Sequence, residues 1–206
     1  MCDGLGWVTK DPDTRAVGRC PECAIAESRE WAVDNLPERL RQIPAVPKVL
    51  DRRIRAVIDS GWPAPGKPWA VVLWGATGTG KSYEGTWLWR ELVLRSGKPA
   101  AWLNLHHELE QARRGVNGPE EHAFIAKALR SGVVMFDDLS NEAAGTIRER
   151  LVLETLGVRY ERSLPTIITT NLSGNDIWDG RLASRMRAGI VMHYTGDDRR
   201  ALRENA

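Results

Sequence analysis

The feature that most constrains this chain is a glycine-rich turn between an apolar run and a helix-like run. Residues 69–82 read WAVVLWGATGTGKS and contain the pattern GxxxxGK followed by Ser, which is typical of a phosphate-binding loop. An apolar run precedes the turn and a helix-like run over 83–95 follows it, in the strand–loop–helix order that the pattern requires. Glycines let the backbone N–H groups curl around an anion, and the next helix adds the positive end of its dipole. The sequence therefore predicts a nucleotide phosphate-binding site.

Each residue type in the loop has a physical role. We expect the phosphates to be bound by eight successive residues: Gly75, Ala76, Thr77, Gly78, Thr79, Gly80, Lys81 and Ser82. The ammonium of Lys81 should reach the β- and γ-phosphates of ATP, and the hydroxyl of Ser82 should bind Mg²⁺. The alternative is an ordinary glycine-rich turn, which the correct flanking segments disfavour.

A second stretch ends in two carboxylates. Residues 132–139 read GVVMFDDL, an apolar run typical of a parallel strand that is buried on both faces. Asp137 and Asp138 follow at its carboxyl end, where ligands bind in open α/β sheets. We expect Asp137 to hold Mg²⁺ and Asp138 to orient or activate water. An Asp-Asp pair alone is a common turn, but here it follows a matched phosphate loop.

The next apolar run ends in an amide. Residues 166–171 read TIITTN, a β-branched strand that ends in Asn171. The side chain of Asn171 either caps the turn or hydrogen-bonds the γ-phosphate or the attacking water. The remaining periodicities predict helices over 83–96, 106–114, 119–130, 143–163 and 181–187, and strands over 100–105 and 189–194.

Two expectations concern tryptophans near the loop. Trp62 precedes the phosphate-loop strand, where it either stacks on the nucleotide base or packs in the core. Trp87 and Trp89 lie two positions apart on a predicted helix, so they cannot share a face. We therefore expect at most one of these two side chains to be deeply buried.

All three cysteines lie near the start of the chain. Cys20 and Cys23 form a CxxC pair, and Cys2 lies upstream across a glycine- and aspartate-rich stretch. A structural zinc site needs four ligands, so a fourth would have to come from elsewhere. Two alternatives stay open. Either the cysteines bind Zn²⁺ with a fourth ligand that the spacing does not identify, or the segment binds no metal and is loosely ordered.

Between the cysteines and the phosphate loop we expect a helical connector. Helices are predicted over 34–43 and from Pro47 to Ser60, with Leu50 on the apolar face of the second. The predicted division of the chain is a cysteine-containing segment, a helical connector and a nucleotide-binding domain, over 1–27, 28–61 and 62–206.

Composition and charge limit the partners. A net charge of +2 over 206 residues predicts no surface that coats nucleic acid, so any such surface must be a local patch. No apolar run is long enough to span a membrane, and the first residues lack the layout of a secretory signal. We therefore expect a cytoplasmic protein without a membrane partner.

Four segments together resemble a known family. GATGTGKS, VVMFDDL, TIITTNLS and RLASRM, in this order and spacing, resemble the AAA+ ATPases, and among them the bacterial and phage replicative-helicase loaders of the DnaC and DnaI type. The resemblance covers about residues 45–195 well and 1–25 loosely. It implies a P-loop NTPase fold with a five-stranded parallel sheet, a central phosphate-loop strand and helices on both faces. This chain departs from the family in one respect, since we expect a domain without the usual full helical lid.

The resemblance implies a role for each matched residue. By this resemblance, Lys81 and Ser82 are the Walker A pair and Asp137 and Asp138 are the Walker B pair. Asn171 matches sensor 1. Arg185, in Ser-Arg-Met, matches the arginine finger that is offered to a neighbouring subunit, and Arg181 is the fallback.

The function implied by the resemblance is that of an ATP-binding and weakly ATP-hydrolysing helicase loader. Such a protein uses ATP and Mg²⁺, binds a replicative helicase and single-stranded DNA, and self-associates through the ATP site. Zn²⁺ would be a further cofactor if the cysteines bind it. The alternatives are a transposition helper ATPase of the IstB type, a small P-loop kinase, and a non-catalytic adaptor gated by nucleotide.

Overall fold

The computed structural model of the chain describes residues 2, 6–11, 13, 16–34, 36–42, 50–96, 100–112, 118–140, 147–173 and 180–198. The strands are β1 (Trp7–Asp11), β2 (Ala16–Arg19), β3 (Ala70–Gly75), β4 (Ala100–Asn104), β5 (Val133–Leu139), β6 (Thr166–Thr170) and β7 (Ile190–Tyr194). The helices are α1 (Pro21–Asp34), α2 (Glu38–Arg41), α3 (Arg52–Asp59), α4 (Lys81–Ser96), α5 (Leu105–Ala112), α6 (Pro119–Arg130), α7 (Ile147–Glu161) and α8 (Gly180–Arg187).

The main sheet has five parallel strands in the order β4-β5-β6-β3-β7, with helices on both faces. This confirms the predicted fold class. One detail of the prediction is wrong, because the middle strand is β6 and not the phosphate-loop strand β3. Among the described strands, β7 alone lies on the far side of β3, whereas three strands lie on the other side. The phosphate-loop strand is therefore an interior strand next to the edge.

Both faces of the sheet are covered, which explains why its inner strands are apolar throughout. Alternate side chains of a strand point to opposite faces. Val71 and Leu73 pack with α3 and α4, whereas Val72 packs with α6, α7 and α8. The phosphate loop and the first turn of α4 consequently lie at the carboxyl end of the sheet, on the face that α3 and α4 cover.

Helix α4 is buried on more than one side. Trp87 is 7% exposed and Trp89 is 0% exposed, so the expectation that at most one of them is deeply buried is wrong. One side of α4 packs on the sheet, and α1 packs against the helix as well. The expectation assumed a helix with a solvated face, whereas the cysteine-bearing segment supplies a second cover.

The N-terminal part contains an antiparallel hairpin of β1 and β2, followed at once by α1. Helix α1 crosses the predicted boundary at residue 27, and the division of the chain into 1–27, 28–61 and 62–206 stays a prediction. The helix expected from Pro47 is described from Arg52, because the side chain of Asp51 caps it by accepting the N–H of Arg53 at 2.8 Å.

Four parts of the predicted helices lie outside the described residues. In the connector these are positions 35 and 43–49. In the later helices they are positions 113–114 and 143–146. No helix within the described parts of the chain has both the length and the apolar character needed to cross a bilayer.

Candidate nucleotide site and cysteine cluster

The phosphate loop follows β3 directly, and Lys81 opens helix α4. Gly75, Gly78 and Gly80 have φ values of +143°, +82° and +98°, a range that favours glycine. A side chain at Gly75 would collide with the carbonyl oxygen of Tyr194 in β7, so the close approach of the two strands requires glycine there. The first turn of α4 presents backbone N–H groups and the positive end of the helix dipole, both of which favour an anion. The loop therefore fits the phosphates of a nucleotide.

Lys81 is held inside the loop. Its ammonium donates to the carbonyl oxygen of Gly75 at 2.8 Å and to that of Ala76 at 2.7 Å. The hydroxyl of Thr79 donates to the same carbonyl of Ala76 at 2.8 Å. These bonds place the only formal charge of residues 75–82 within the turn, where an incoming phosphate would meet it. Ser82 is half-buried in the first turn of α4.

The structure brings the two aspartates and the asparagine of the predicted site together. Asp137 and Asp138 lie at the carboxyl end of β5, next to the end of β6 that leads to Asn171. Asp137 is buried at 1% exposure, whereas Asp138 and Asn171 are exposed. The amide of Asn171 donates to Oδ1 of Asp138 at 3.3 Å. A buried carboxylate suits a position behind a hydrated Mg²⁺, and an exposed one suits contact with water.

A bulge in the strand pairing separates the two carboxylates. Asp137 and Asp138 together lie opposite the single residue Thr169 of β6. Asp138 has a φ of +64°, which is uncommon for a residue other than glycine and is best tolerated by Asn and Asp. The extra residue turns Asp138 outward while Asp137 stays buried.

Thr169 is a site residue that the sequence analysis missed. Its hydroxyl donates to Oδ1 of Asp137 at 2.7 Å and accepts the backbone N–H of Asp138 at 2.9 Å. The only signal in the sequence is a threonine two positions before Asn171. That signal is uninformative unless the pairing of β5 with β6 is known.

A second polar group joins the first turns of α4 to the connector. Buried Glu84 accepts the hydroxyl of Tyr194 at 2.9 Å and the backbone N–H of Asp51 at 3.1 Å. Burial raises the pKa of Tyr194 above its usual range, so its phenol remains a donor. The guanidinium of Arg53 lies over the ring of Tyr194 and donates to the carbonyl oxygen of His193 at 3.0 Å. The start of α3, the end of β7 and the phosphate-loop helix are thereby fixed together.

Of the two alternatives for Trp62, the structure supports packing in the core. The side chain is 3% exposed, and its indole N–H donates to the carbonyl oxygen of Pro68 at 2.6 Å. A ring that is buried on all sides has no face for a nucleotide base. Stacking of Trp62 on the base is therefore excluded.

Arg185 lies at the opposite end of the sheet from the phosphate loop. Its carbonyl accepts the indole N–H of Trp69, the residue just before β3, at 2.8 Å. Its guanidinium lies over the ring of Tyr160 and approaches Glu161 at 3.6 Å. Strand β3 separates the two ends, a span of about 20 Å at roughly 3.3 Å per residue. Arg185 therefore does not reach the phosphate loop of its own chain, and the fallback Arg181 is exposed at the start of α8.

The three cysteines converge. Their sulphur atoms all lie within 4.8 Å of one another, and Sγ of Cys2 is 3.2 Å from Sγ of Cys23. The hairpin explains the convergence, since the N–H of Cys20 donates to the carbonyl oxygen of Gly6 at 2.8 Å. Hydrogen bonding of the Cys23 thiol with Cys2, and next with Cys20, raises the pKa of Cys23 to about 11. A cation among the sulphurs would reverse this effect, because thiolates are metal ligands.

The donor set fits a soft metal ion such as Zn²⁺ in type but not in number. No histidine or carboxylate within the described residues joins the three sulphur atoms. A structural zinc site has four ligands, so the described residues supply three of them. Neither of the two alternatives from the sequence is decided by this geometry.

Comparison with known proteins places the fold. No protein-family model and no curated protein sequence matches the chain. Among solved structures, the DnaC helicase loader superposes with a TM-score of 0.64 at 18% identity over 77% of this chain and 100% of that one. DnaI superposes with a TM-score of 0.62 at 21% identity, over 82% of this chain and 98% of DnaI. The replication initiator DnaA, bound to AMPPCP and single-stranded DNA, superposes with a TM-score of 0.61 at 16% identity. This superposition covers 79% of this chain and 51% of DnaA. The chain therefore shares its fold with these three proteins.

Proposed function

We propose that this chain is an ATP-binding and weakly ATP-hydrolysing loader that delivers a replicative helicase to single-stranded DNA in the cytoplasm. The observation that carries the proposal is the meeting of Asp137, Asp138 and Asn171 at the end of the sheet that bears the phosphate loop. The fold shared with a protein described as a helicase loader supports the delivery of a helicase. The fold shared with DnaA bound to AMPPCP and single-stranded DNA supports these two classes of ligand.

Bound Mg²⁺ and ATP supply the phosphoryl group and the charge that organises it. The loop N–H groups and the ammonium of Lys81 would bind the phosphates, and Ser82 and Asp137 would hold the metal. Asp138 would accept a proton from the attacking water or orient it. Asn171, which donates to Asp138, keeps that carboxylate in place and contacts the same water.

The arginine finger acts between subunits in this proposal. Arg185 lies at the far end of the sheet from its own loop, so a neighbouring subunit is its natural target. A guanidinium matches phosphate oxygens with a planar fork of N–H donors. Self-association through the ATP site follows from this role. Tyr160 and Glu161 of α7 hold the side chain ready in the single chain.

We also propose that the cysteine cluster binds one Zn²⁺ and carries a contact with the helicase. The convergence of Cys2, Cys20 and Cys23 supports a metal. The adjacent hairpin exposes the large apolar side chains of Trp7 and Val17, which are 61% and 63% exposed. Exposed apolar side chains beside a rigid metal site are suited to a protein partner.

The test combines nucleotide binding with partner binding. The purified chain is titrated with a fluorescent ATP analogue, and then passed over the immobilised replicative helicase encoded in the same genome, with and without ATP. Lys81→Ala should lose most of the affinity for the analogue, because the charge within the turn is removed. Arg95→Ala, on the exposed end of the same helix, is the control and should leave the affinity unchanged. Equal affinity of the wild type and of Lys81→Ala contradicts the nucleotide site.

DNA preference separates the alternatives. A loader should bind a labelled oligothymidylate in preference to the same length of duplex, and the helicase should raise its ATPase rate. Preference for duplex together with binding to a transposase would instead support the IstB type. Transfer of phosphate to a small acceptor would support a kinase, and nucleotide binding without any turnover would support an adaptor.

A further inference from the structure

We propose that Thr169 is the positioning residue of this site, which joins the buried carboxylate of Asp137 to Asp138 and so sets both for Mg²⁺ and water. The inference rests on the proposed ATPase function. Thr169 sets the relative position of the two carboxylates, which the phosphate loop and the two aspartates do not set by themselves.

One hydroxyl makes two bonds of opposite sense. Thr169 Oγ1 donates its proton to Oδ1 of Asp137 at 2.7 Å and accepts the N–H of Asp138 at 2.9 Å. A hydroxyl has one proton and two lone pairs, so the two bonds are compatible and mutually strengthening. The bond to Asp137 fixes the rotation of its carboxyl group. The bond from Asp138 fixes the peptide that carries the second carboxylate.

The bulge makes this hydroxyl necessary. In a parallel sheet, each backbone N–H of an interior strand normally bonds to a backbone carbonyl of a neighbouring strand. The extra residue on β5 interrupts that pattern, and the described acceptor for the N–H of Asp138 is the side chain of Thr169. Asp138 also has a φ of +64°, a conformation that persists only where the surroundings hold it. Thr169 therefore holds both the orientation of Asp137 and the backbone conformation of Asp138.

Packing against the phosphate-loop helix fixes the threonine itself. A Cβ at Gly85 of α4 would lie 3.3 Å from Cγ2 of Thr169, so the backbone of α4 approaches the methyl group closely. With the methyl group held against α4, the hydroxyl points toward Asp137. The helix that begins with Lys81 and the two aspartates are thus linked through one side chain.

The neighbouring threonine provides a matched control. Thr170 is 1% exposed, as is Thr169, and its hydroxyl donates to the carbonyl oxygen of Leu139 at 2.6 Å. It also accepts the N–H of Leu172 at 3.0 Å. Both hydroxyls bridge the same bulge, but only that of Thr169 touches a carboxylate. Thr170→Val therefore measures what the loss of a bridging hydroxyl does to the fold.

The experiment compares Thr169→Val, Thr169→Ser and Thr170→Val in the full chain. The affinity for a fluorescent ATP analogue is measured with Mg²⁺ and with EDTA, alongside turnover and the melting temperature. Thr169→Val should lower both turnover and the gain in affinity from Mg²⁺ by about tenfold or more, the range seen when an outer partner of a metal ligand is removed. Its affinity in EDTA should stay that of the wild type. Thr169→Ser should keep the turnover and the Mg²⁺ gain in affinity, because it keeps the hydroxyl. Thr170→Val should also keep both quantities, even if its melting temperature is lower, as long as it is folded in the assay.

The outcomes are distinct. Equal Mg²⁺ gain and turnover in Thr169→Val and Thr170→Val overturn the inference and leave the ATPase proposal standing. A wild-type chain that does not bind the analogue overturns the ATPase proposal instead. If Thr169→Val does not fold, Thr169→Ser is compared with Thr169→Ala, because both remove the methyl group and they differ in the hydroxyl. Equal Mg²⁺ gain in these two variants also overturns the inference.

Discussion

The two ends of the main sheet each bury a charged side chain, and the partners of these side chains differ in kind. At the amino end, Arg159 of α7 is 0% exposed. Its guanidinium donates to the carbonyl oxygens of Ala128, Ser131 and Pro165 and to the hydroxyl of Thr166. Burial lowers the pKa of Arg159 to about 9, because the charge has left water.

At the carboxyl end, Asp137 is bonded to a hydroxyl that serves a second carboxylate. That second carboxylate, Asp138, and its partner Asn171 are exposed. The described partners of Arg159 are backbone carbonyls and a hydroxyl that hold loops together. The carboxyl end instead joins a buried carboxylate to an exposed one, at the end of the sheet that bears the loop from Gly75 to Ser82.

The comparison teaches that one buried charge belongs to the fold and the other to the site. Replacing Arg159 should change stability and leave the chemistry of each folded molecule intact. Replacing residues at the carboxyl end should do the reverse. Substitutions at the two ends of the sheet, and removal of metal from the cysteines, test whether stability and nucleotide chemistry are separate in this way.

The largest effect is expected from Asp138→Asn. Turnover should fall by about 10²–10⁴, the range for loss of a general base, while ATP still binds because Asp137 is intact. Steady-state turnover and the affinity for the fluorescent analogue are measured together. Asp59→Asn, exposed at the end of α3, is the control. Wild-type turnover in Asp138→Asn would show that this carboxylate does not act on water.

Arg159→Met should lower the free energy of unfolding by about 2–4 kcal/mol, because buried carbonyls lose their donors. Urea unfolding measures this loss, and the Mg²⁺-dependent affinity of the folded fraction should be that of the wild type. Arg162→Met, at an exposed position just beyond α7, should change stability by about 0.5 kcal/mol at most. A specific loss of Mg²⁺ affinity in Arg159→Met would break the separation of the two ends.

Arg185→Ala should lower turnover only where subunits meet. Fingers of this kind supply about 10³–10⁵ in GTPases, and we expect a smaller factor in a slower ATPase. Arg185→Ala and Lys81→Ala should each show a low partner-stimulated rate alone. When the two are mixed, part of that rate should return, because one variant keeps the loop and the other keeps the finger. Arg187→Ala, on the same helix, is the control. Wild-type turnover by Arg185→Ala alone, with helicase and DNA present, would refute the role.

The smallest effect on the nucleotide site is expected from metal removal. Elemental analysis after metal-replete expression should give one zinc per chain, and chelation should change ATP affinity by less than about twofold, since the sulphur cluster lies outside the site. Cys23→Ser should lose the metal, whereas Ser28→Ala should keep it. Zinc below about a tenth of an equivalent would leave the cluster without a metal.

Local patterns revealed the parts of the site that are contiguous in the chain. The loop from Gly75 to Ser82 is a single segment, and the aspartates follow an apolar run that suits an inner parallel strand. The family resemblance of the four segments implied the five-stranded parallel sheet, which the structure confirms. The roles of the individual site residues stay predictions.

Long-range register was beyond the sequence. Thr169 matters only because β5 has an extra residue at its partner position, and one sequence does not reveal a bulge. The burial of both Trp87 and Trp89 depends on α1 packing over α4, a contact between distant segments. The convergence of Cys2 with the CxxC pair depends on the hairpin, which spacing alone left open.

The central claim is that ATP at the carboxyl end of the sheet drives delivery of a helicase to single-stranded DNA. The most direct test is the transfer of the hexameric helicase onto closed-circular single-stranded DNA coated with single-strand-binding protein, measured by the unwinding of an annealed oligonucleotide. We expect unwinding of the oligonucleotide with the wild-type chain and ATP, and little unwinding with Lys81→Ala or without nucleotide. Equal unwinding with Lys81→Ala, or no transfer by the wild type in any nucleotide state, would contradict it.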